Sequence, residues 1–567
     1  MTLIDWIVLV GFLLFVTIYG VWKTRNTKDI DSYIRSGKTT KWYIVALSIM
    51  ATQASAITFL STPGQAYADG MRFVQFYLGL PIAMIVLSIT AVPLFHKMNI
   101  YTAYEYLEKR FDLKNRVLGT VLFLSQRGLA AGFTIFAPSL ILSVILHWDI
   151  SFTVIFTGIL VVIYTTIGGT NAVNQTHIYQ MIIMTAGMFI VFAMIFFLLP
   201  KDISPLDAVY IAGKLGKLNA IDFSFDLNNR YTFWSGIIGG TFLMLSYFGT
   251  DQSQVQRYLA GSSITQSRLG LLTNGIIKLP MQFFILFTGA MVFVFYQFNM
   301  PPLFFNPSGI TTVKQSTYAS QYQAINEKYE VVNKEKQTIL REMLSSIRND
   351  VPGSTDQIVT QVREKQKEAD NLRKEAIGFI QKADSKSDSN DTNYIFLTYI
   401  IHFLPTGLIG LVLAAIFSAS MSSTSAELNA LASTTVIDIY KRLIRKDAPD
   451  KHYLLISKLA TILWGAYAIS FALFANRMGS LIEAVNILGS IVYGTILGIF
   501  LVAFYLKKVT GTATFIAALI AQLVVLYCFL FTTIPFLWYN AVGCLLIVFL
   551  ALILNPFFNK KNLVISN

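Results

Sequence analysis

Apolar runs of about 18 residues or more recur along nearly the whole chain, and a helix of that length matches the roughly 30 Å of hydrocarbon in a bilayer. Backbone N–H and C=O groups find no water there, so each run must be a helix that satisfies its own hydrogen bonds. Spans are expected at about 4–22, 42–66, 73–96, 116–146, 150–167, 177–199, 232–252, 270–298, 405–438, 453–476, 481–505, 511–531 and 534–556. The fold class is therefore all-α and integral to the membrane, with about thirteen transmembrane helices. Composition agrees, since 13% of the residues are charged and the mean hydropathy is +0.57, where a soluble domain has roughly 25% charged.

The net charge of +13 does not point to nucleic acid, because Lys and Arg are dispersed through short loops and form no patch. They report topology. Alternate connections carry Lys23, Arg25, Lys28, Arg35, Lys38 and Lys41; then Lys97, Lys109, Arg110, Lys114 and Arg116; then Lys441, Arg442, Arg445, Lys446 and Lys451; then Lys507, Lys508, Lys560 and Lys561. An excess of cations marks cytoplasmic loops, so the N-terminus is expected outside and the C-terminus inside a plasma or inner membrane. The opposite loops hold few, such as Arg72 and Arg477, apart from the stretch between spans six and seven and one insertion. Asp5 interrupts the first run, no small-residue cleavage site follows and basic residues do, which reads as a retained span. Cys528 and Cys544 lie in late apolar runs and read as packing residues.

The insertion, 314–393, holds 13 basic and 13 acidic residues and no run long enough to span. Tyr318, Tyr322, Ile325, Tyr329, Val332, Ile339 and Met343 recur at helical steps, as do Ile358, Val362, Ala369, Leu372, Ala376, Phe379 and Ala383. Asp350–Ser354 supplies turn chemistry between them. The expectation is an extramembrane antiparallel helical hairpin, serving as a cap or as a docking arm for a protein partner. Residues 1–310 and 394–567 would then form one membrane domain.

Two spans carry polar, helix-weakening stretches: Ala51–Thr58 before Pro63-Gly64, and Ser246–Gln254. Spans two to six and seven to eleven correspond as two halves, with the long spans fourth and ninth. A weak point at the head of each half suits an inverted repeat, where unwound backbone meets solute and ion near the midplane. Span nine concentrates small hydroxyls in Ala415–Glu427. A hard monovalent cation wants several oxygens, and the Ala419 carbonyl lies one turn below Ser422 and Ser423. Close helix packing is served by the same composition.

This stretch, continuing through Ser433-Thr-Thr-Val-Ile-Asp-Ile-Tyr-Lys441, resembles the sodium/solute symporter family, whose members couple sodium to glucose, proline, iodide, monocarboxylate, vitamin or sialic acid. The resemblance extends to Pro63-Gly64, to Gly168-Gly169 with Ala172-Val173, Thr176 and Gln180, and to Asp251–Arg257. It covers about 1–310 and 394–556 and omits the hairpin. It implies a leucine-transporter-like inverted five-helix repeat and a sodium ion between spans two and nine. By position, its ligands would be the carbonyls of Ala51, Ala54 and Ala419 with the hydroxyls of Ser422 and Ser423. The implied substrate cavity takes Gln53, Ser55, Phe248, Thr250, Asp251 and Gln252. Lys278 stands where sugar carriers also have a lysine; its other reading is a snorkelling cation. Arg127 offers a fork of donors to a carboxylate if it faces the cavity, or is a cytoplasmic anchor or gate. Phe136-Ala-Pro-Ser139 is similar to the iodide, monocarboxylate and vitamin branch and tilts the solute toward an organic anion, with a sugar as the other choice.

Members with a second sodium site place an aspartate where this chain has His177 and a serine where it has Ala426, leaving Ser422 and Ser425 without the anionic ligand. His177 then reads as a donor to a helix-end carbonyl, or as a proton sensor with Glu427. The expected function is sodium-coupled uptake of a small organic solute, with Na+ as the coupling ion. Its rivals are a solute sensor acting through a partner, a membrane enzyme and a passive channel. No nucleophile with its base and no phosphate-cradling glycine loop supports an enzyme.

Overall fold

The computed structural model describes residues 1–24, 38–226, 228–348, 354–385, 388–475 and 479–558, with the backbone alone at 21, 23, 24, 168–175 and 354–356. Expectations placed on the side chains of Lys23, Arg25, Lys28, Arg35, Gly168 to Val173, Asp350 to Ser354, Arg477, Lys560 and Lys561 lie outside the described residues. The membrane elements are α1 (Leu3–Thr24), α2 (Trp42–Gln53), α3 (Ala56–Asp69), α4 (Leu80–Ile89), α5 (Leu113–Leu146), α6 (Ile150–Phe197), α7 (Gly240–Gly249), α8 (Gln252–Leu259) and α9 (Ile264–Phe298). After them come α10 (Ala319–Arg348) and α11 (Ser354–Ala383), then α12 (Leu408–Thr434), α13 (Asp450–Ala472), α14 (Leu481–Tyr505), α15 (Gly511–Phe531) and α16 (Phe536–Phe558).

Among the described residues, 11 stretches are helical, long and apolar enough to cross a membrane. The expected second and third spans merge in that tally within Ala56–Met98, and the seventh appears only as the short helix Ser235–Gly249. Both discrepancies arise where a span is broken. Ala54 (ψ 79°) and Ser55 (ψ 171°) leave helical geometry between α2 and α3. Thr250 and Asp251 (ψ 118°) do the same between α7 and α8. Each half of the bundle therefore opens on an interrupted span, as the two polar stretches led us to expect.

Ile150–Phe197 is helical throughout and 48 residues long, yet it contains two spans. The hydroxyls of Tyr164 and Thr176 are 3.0 Å apart, whereas twelve residues of straight helix would separate them by about 18 Å, so the helical path is not straight between them and the two spans are separate. Asp5 ties the first span to the ninth: its buried carboxylate accepts from the backbone N–H of Gly407 at 2.6 Å and Gly410 at 3.2 Å. It thereby satisfies donors that the start of α12 leaves open. The broken second span sits against α9, where a Cβ on Gly289 would lie 2.2 Å from the Pro63 carbonyl. Only glycine permits that approach, a common way of bringing membrane helices together.

Arg116, read as a loop cation, is buried at the face that carries the basic loops. It donates to Asp438 at 2.8 Å and Glu108 at 2.7 Å, and Glu108 also accepts from Arg442. The insertion forms two 30-residue helices packed on each other. Tyr322, Ile325, Tyr329, Val332 and Met343 are buried as their spacing indicated, together with Leu340 and Ile380. Leu340, Met343, Leu344, Val359 and Val362 join the main apolar core, so the hairpin lies on the transport body. Arg341 pairs with Asp202 and Arg348 with Asp207 along that seam. Cys528 and Cys544 are buried free thiols.

Candidate functional site

The first break puts backbone oxygens beside the hydroxyl-rich stretch of α12. Ser422 Oγ donates to the Ala51 carbonyl at 3.0 Å, across 371 positions of sequence. Ser423 Oγ donates to its own helix at Ala419, 3.0 Å away. Ala54 ends α2, and its N–H returns to Met50 at 2.7 Å. The five oxygens expected around a cation thus occur as two bonded pairs, with the Ala54 carbonyl at the break. Ser422 and Ser423 are each 1% exposed, and hydroxyls buried at a junction of two helices can turn from these carbonyls to a shared ion without crossing solvent.

Next to this junction is a small central cavity of about 90 Å³, walled by Gln53, Ser55, Tyr77, Gln126, Arg127, Thr134, Tyr247, Glu427, Asn486 and Tyr493 among others. The buried Arg127 guanidinium holds two carboxylates. Its Nε donates to Asp251 Oδ2 at 3.0 Å and its Nη1 to Glu427 Oε1 at 3.0 Å. Nη2 reaches both Asp251 and the Tyr493 hydroxyl. Tyr493 in turn donates to Asp251 at 2.8 Å, and Thr134 to Glu427 Oε2 at 3.0 Å. Asp251 also caps α8, accepting from the Ser253 N–H at 2.9 Å, which is why the second break occurs at this residue. Two carboxylates around one guanidinium leave the cluster one negative charge in excess when all three are ionised, and a buried excess of that kind calls for a cation.

Of the residues expected in the cavity, Gln53, Ser55 and Arg127 are in its wall, and Asp251 stands directly behind Arg127. Arg127, read also as a cytoplasmic anchor or gate, is 4% exposed and enclosed by Asp251 and Glu427. Phe248 is fully buried in packing. Thr250 Oγ1 bonds back to the Ser246 carbonyl at 2.8 Å. Gln252 is drawn the other way, bridging the Ala103 N–H at 3.0 Å and the Tyr101 carbonyl at 2.9 Å. Helical twist beyond the break carries that side chain off the cavity face. Lys278 is 1% exposed, which rules out snorkelling, and it lies away from the cavity wall.

His177 Nδ1 is 3.0 Å from Ser48 Oγ on α2, and the ring also bonds to the Ser422 backbone of α12, so it sits between the two helices that meet at the hydroxyl-rich junction. Glu427 is committed to Arg127 and Thr134, not to His177. Ser425 Oγ donates to the Ser422 carbonyl at 3.1 Å, and the Ala426 carbonyl lies 3.5 Å from Gln256 Nε2. Thr134, Gln126, Tyr247 and Tyr493 had no place in the sequence-derived cavity. Polar positions on the face of α5 that carries Arg127 would have found the first two; Tyr493, on α14, gave no local signal.

Comparison with known proteins places this geometry. The sequence profile of the sodium:solute symporter family matches residues 33–345 and 375–521, leaving out 346–374, the turn and most of the second helix of the hairpin. The human sodium/iodide cotransporter is 26% identical over 507 residues, covering 88% of this chain and 66% of that protein. The human sodium-coupled monocarboxylate transporter 1 is 28% identical, covering 88% and 68%. The sodium/sialic acid symporter SiaT of Proteus mirabilis is 23% identical over 98% of this chain and 95% of its own length. A solved outward-open Na+-coupled sialic acid symporter shares the fold, with a TM-score of 0.75, 22% identity and 98% coverage of both chains. The two broken spans, the buried hydroxyls at their junction with α12 and a match over most of the length lead to one conclusion: this multi-pass membrane protein belongs to the sodium:solute symporter family.

Proposed function

We propose that this sodium:solute symporter carries one sodium ion with a small organic anion into the cell, the ion at Ala51, Ala54, Ala419, Ser422 and Ser423 and the solute in the central cavity beside Arg127. The N-terminus faces outward and the C-terminus the cytoplasm, in accord with the basic loops. The observation that carries the reading is the Asp251–Arg127–Glu427 cluster, set one helical turn from the hydroxyls. Glu427 follows Ser423 by four residues on α12, a spacing that puts their side chains about 5–6 Å apart on one face. A cation among the hydroxyls attracts Glu427 away from Arg127, and the freed donor faces a cavity in which the Gln53 and Gln126 side-chain carbonyls have no partner.

Sodium binding thereby prepares the solute site, and a solute carboxylate on Arg127 leaves Glu427 free to hold the ion. Each ligand raises the other's affinity, which is the reciprocity that symport requires. The anionic solute is supported further by relatives whose names give iodide, monocarboxylate and sialic acid. One sodium ion follows from His177 and Ala426, which supply neither carboxylate nor hydroxyl for a second. Uptake of labelled lactate, sialic acid, iodide and glucose into vesicles of reconstituted protein tests the proposal. An inward sodium gradient should drive an organic anion and not glucose, and glucose uptake alone would contradict it.

A further inference from the structure

Between the hairpin and the transport body lies a second cavity, of about 320 Å³, with no connection to the central site in its lining. Its walls hold four cations, Lys217, Lys336, Arg373 and Lys374, and two carboxylates, Asp370 and Asp391. Arg373 and Asp391 satisfy one another through two bonds of 2.9 and 2.7 Å. In the lining, the two buried ammonium groups of Lys217 and Lys336 and the exposed one of Lys374 therefore face one remaining carboxylate, with Asp69 acting on Lys217 from outside it. Lys217 Nζ donates to the carbonyls of Tyr67 at 2.7 Å and Ala68 at 2.6 Å and lies 4.5 Å from the Phe293 ring centre, all of them neutral partners. Lys336, 2% exposed, bonds Gln366 Oε1 at 2.9 Å, another neutral partner, and keeps further N–H donors for a ligand. Burial pushes both ammonium groups down to about 8, with Asp370 acting in the opposite direction.

We propose that this cleft is an anion site for a small carboxylate or similar oxyanion, independent of what the central cavity carries. The oxyanion bridges Lys217 of the body and Lys336 of the hairpin, so each half of the protein contributes a donor. Tyr67 and Tyr329 offer apolar walls for a carbon skeleton, and the buried, unpartnered Gln297 Oε1 accepts from a hydroxyl on it. The hairpin is then half of a binding site at the mouth of the transporter.

The test is saturation-transfer NMR of lactate on the full-length protein in nanodiscs, in sodium-free buffer, where binding at the centre is weakest and the Lys336→Gln and Asp370→Asn differences report the cleft. Saturable transfer is expected. Lys336→Gln should weaken it about tenfold, the loss that accompanies one charge-assisted hydrogen bond. Asp370→Asn, which removes the competing carboxylate, should tighten it several-fold, a gain that a misfolded protein cannot give. Absence of saturable transfer, or affinity unchanged in both variants, would overturn the assignment.

Discussion

Glu427→Gln addresses the coupling step. The substitution keeps shape and hydrogen bonding but removes one of the two carboxylates on Arg127, and Asp251 remains to pair the guanidinium, so no buried charge is orphaned. At the 5–6 Å of an i,i+4 pair, a sodium ion among the hydroxyls and the Glu427 carboxylate attract by about 3 kcal/mol at an effective dielectric constant of ~20. By linkage that is the free energy through which sodium improves solute affinity, on the order of 100-fold. The assay is solute KM in vesicles at low and saturating external sodium. Wild type should show a steep fall in KM with sodium, and Glu427→Gln should lose most of it while sodium-independent binding improves. A variant whose KM keeps its full sodium dependence would refute the electrostatic link.

Four further outcomes are expected. Ser422→Ala and Ser423→Ala should each raise the sodium concentration for half-maximal uptake, by about tenfold if one oxygen ligand is worth ~1.4 kcal/mol; unchanged sodium dependence in both would remove the ion from this junction. Arg127→Met leaves Asp251 and Glu427 facing each other unneutralised and should cost about 3–5 kcal/mol, read as loss of folded protein after detergent heating, with Glu427→Gln far milder. His177→Asp with Ala426→Ser should restore a second cation site, raising the sodium-to-solute ratio above one in flux measurements. Replacing 316–390 with a short flexible linker should leave uptake largely intact in correctly inserted protein; loss of transport despite normal insertion would assign the arm to gating or assembly.

The breaks at Ala54-Ser55 and Thr250-Asp251 were legible because polar residues in an apolar run weaken a helix locally, and local weakness is what a sequence displays. The hairpin was legible for the same reason, its heptad-like spacing being a property of neighbours in the chain. Arg127 is different. Its partners lie 124 and 300 positions away, and nothing in Leu124–Gly128 tells which face of α5 turns inward. Gln252 shows the converse failure: it sits beside the break in sequence, but the helical twist beyond Asp251 sends it to Tyr101 and Ala103. Lys278 was readable as costly in a membrane, while its complete burial required packing that only the assembled bundle defines.

The central claim is one sodium ion moved with each solute anion, a cargo that carries no net charge when the anion is monovalent. The direct measurement is the equilibrium accumulation ratio of the solute in sealed vesicles, with a fixed sodium gradient and the membrane potential clamped at several values. An inward sodium gradient of about tenfold should give about tenfold accumulation at every potential. Accumulation near the square of the sodium ratio that grows with an inside-negative potential would show two sodium ions and contradict the account, as would accumulation driven by a pH gradient alone.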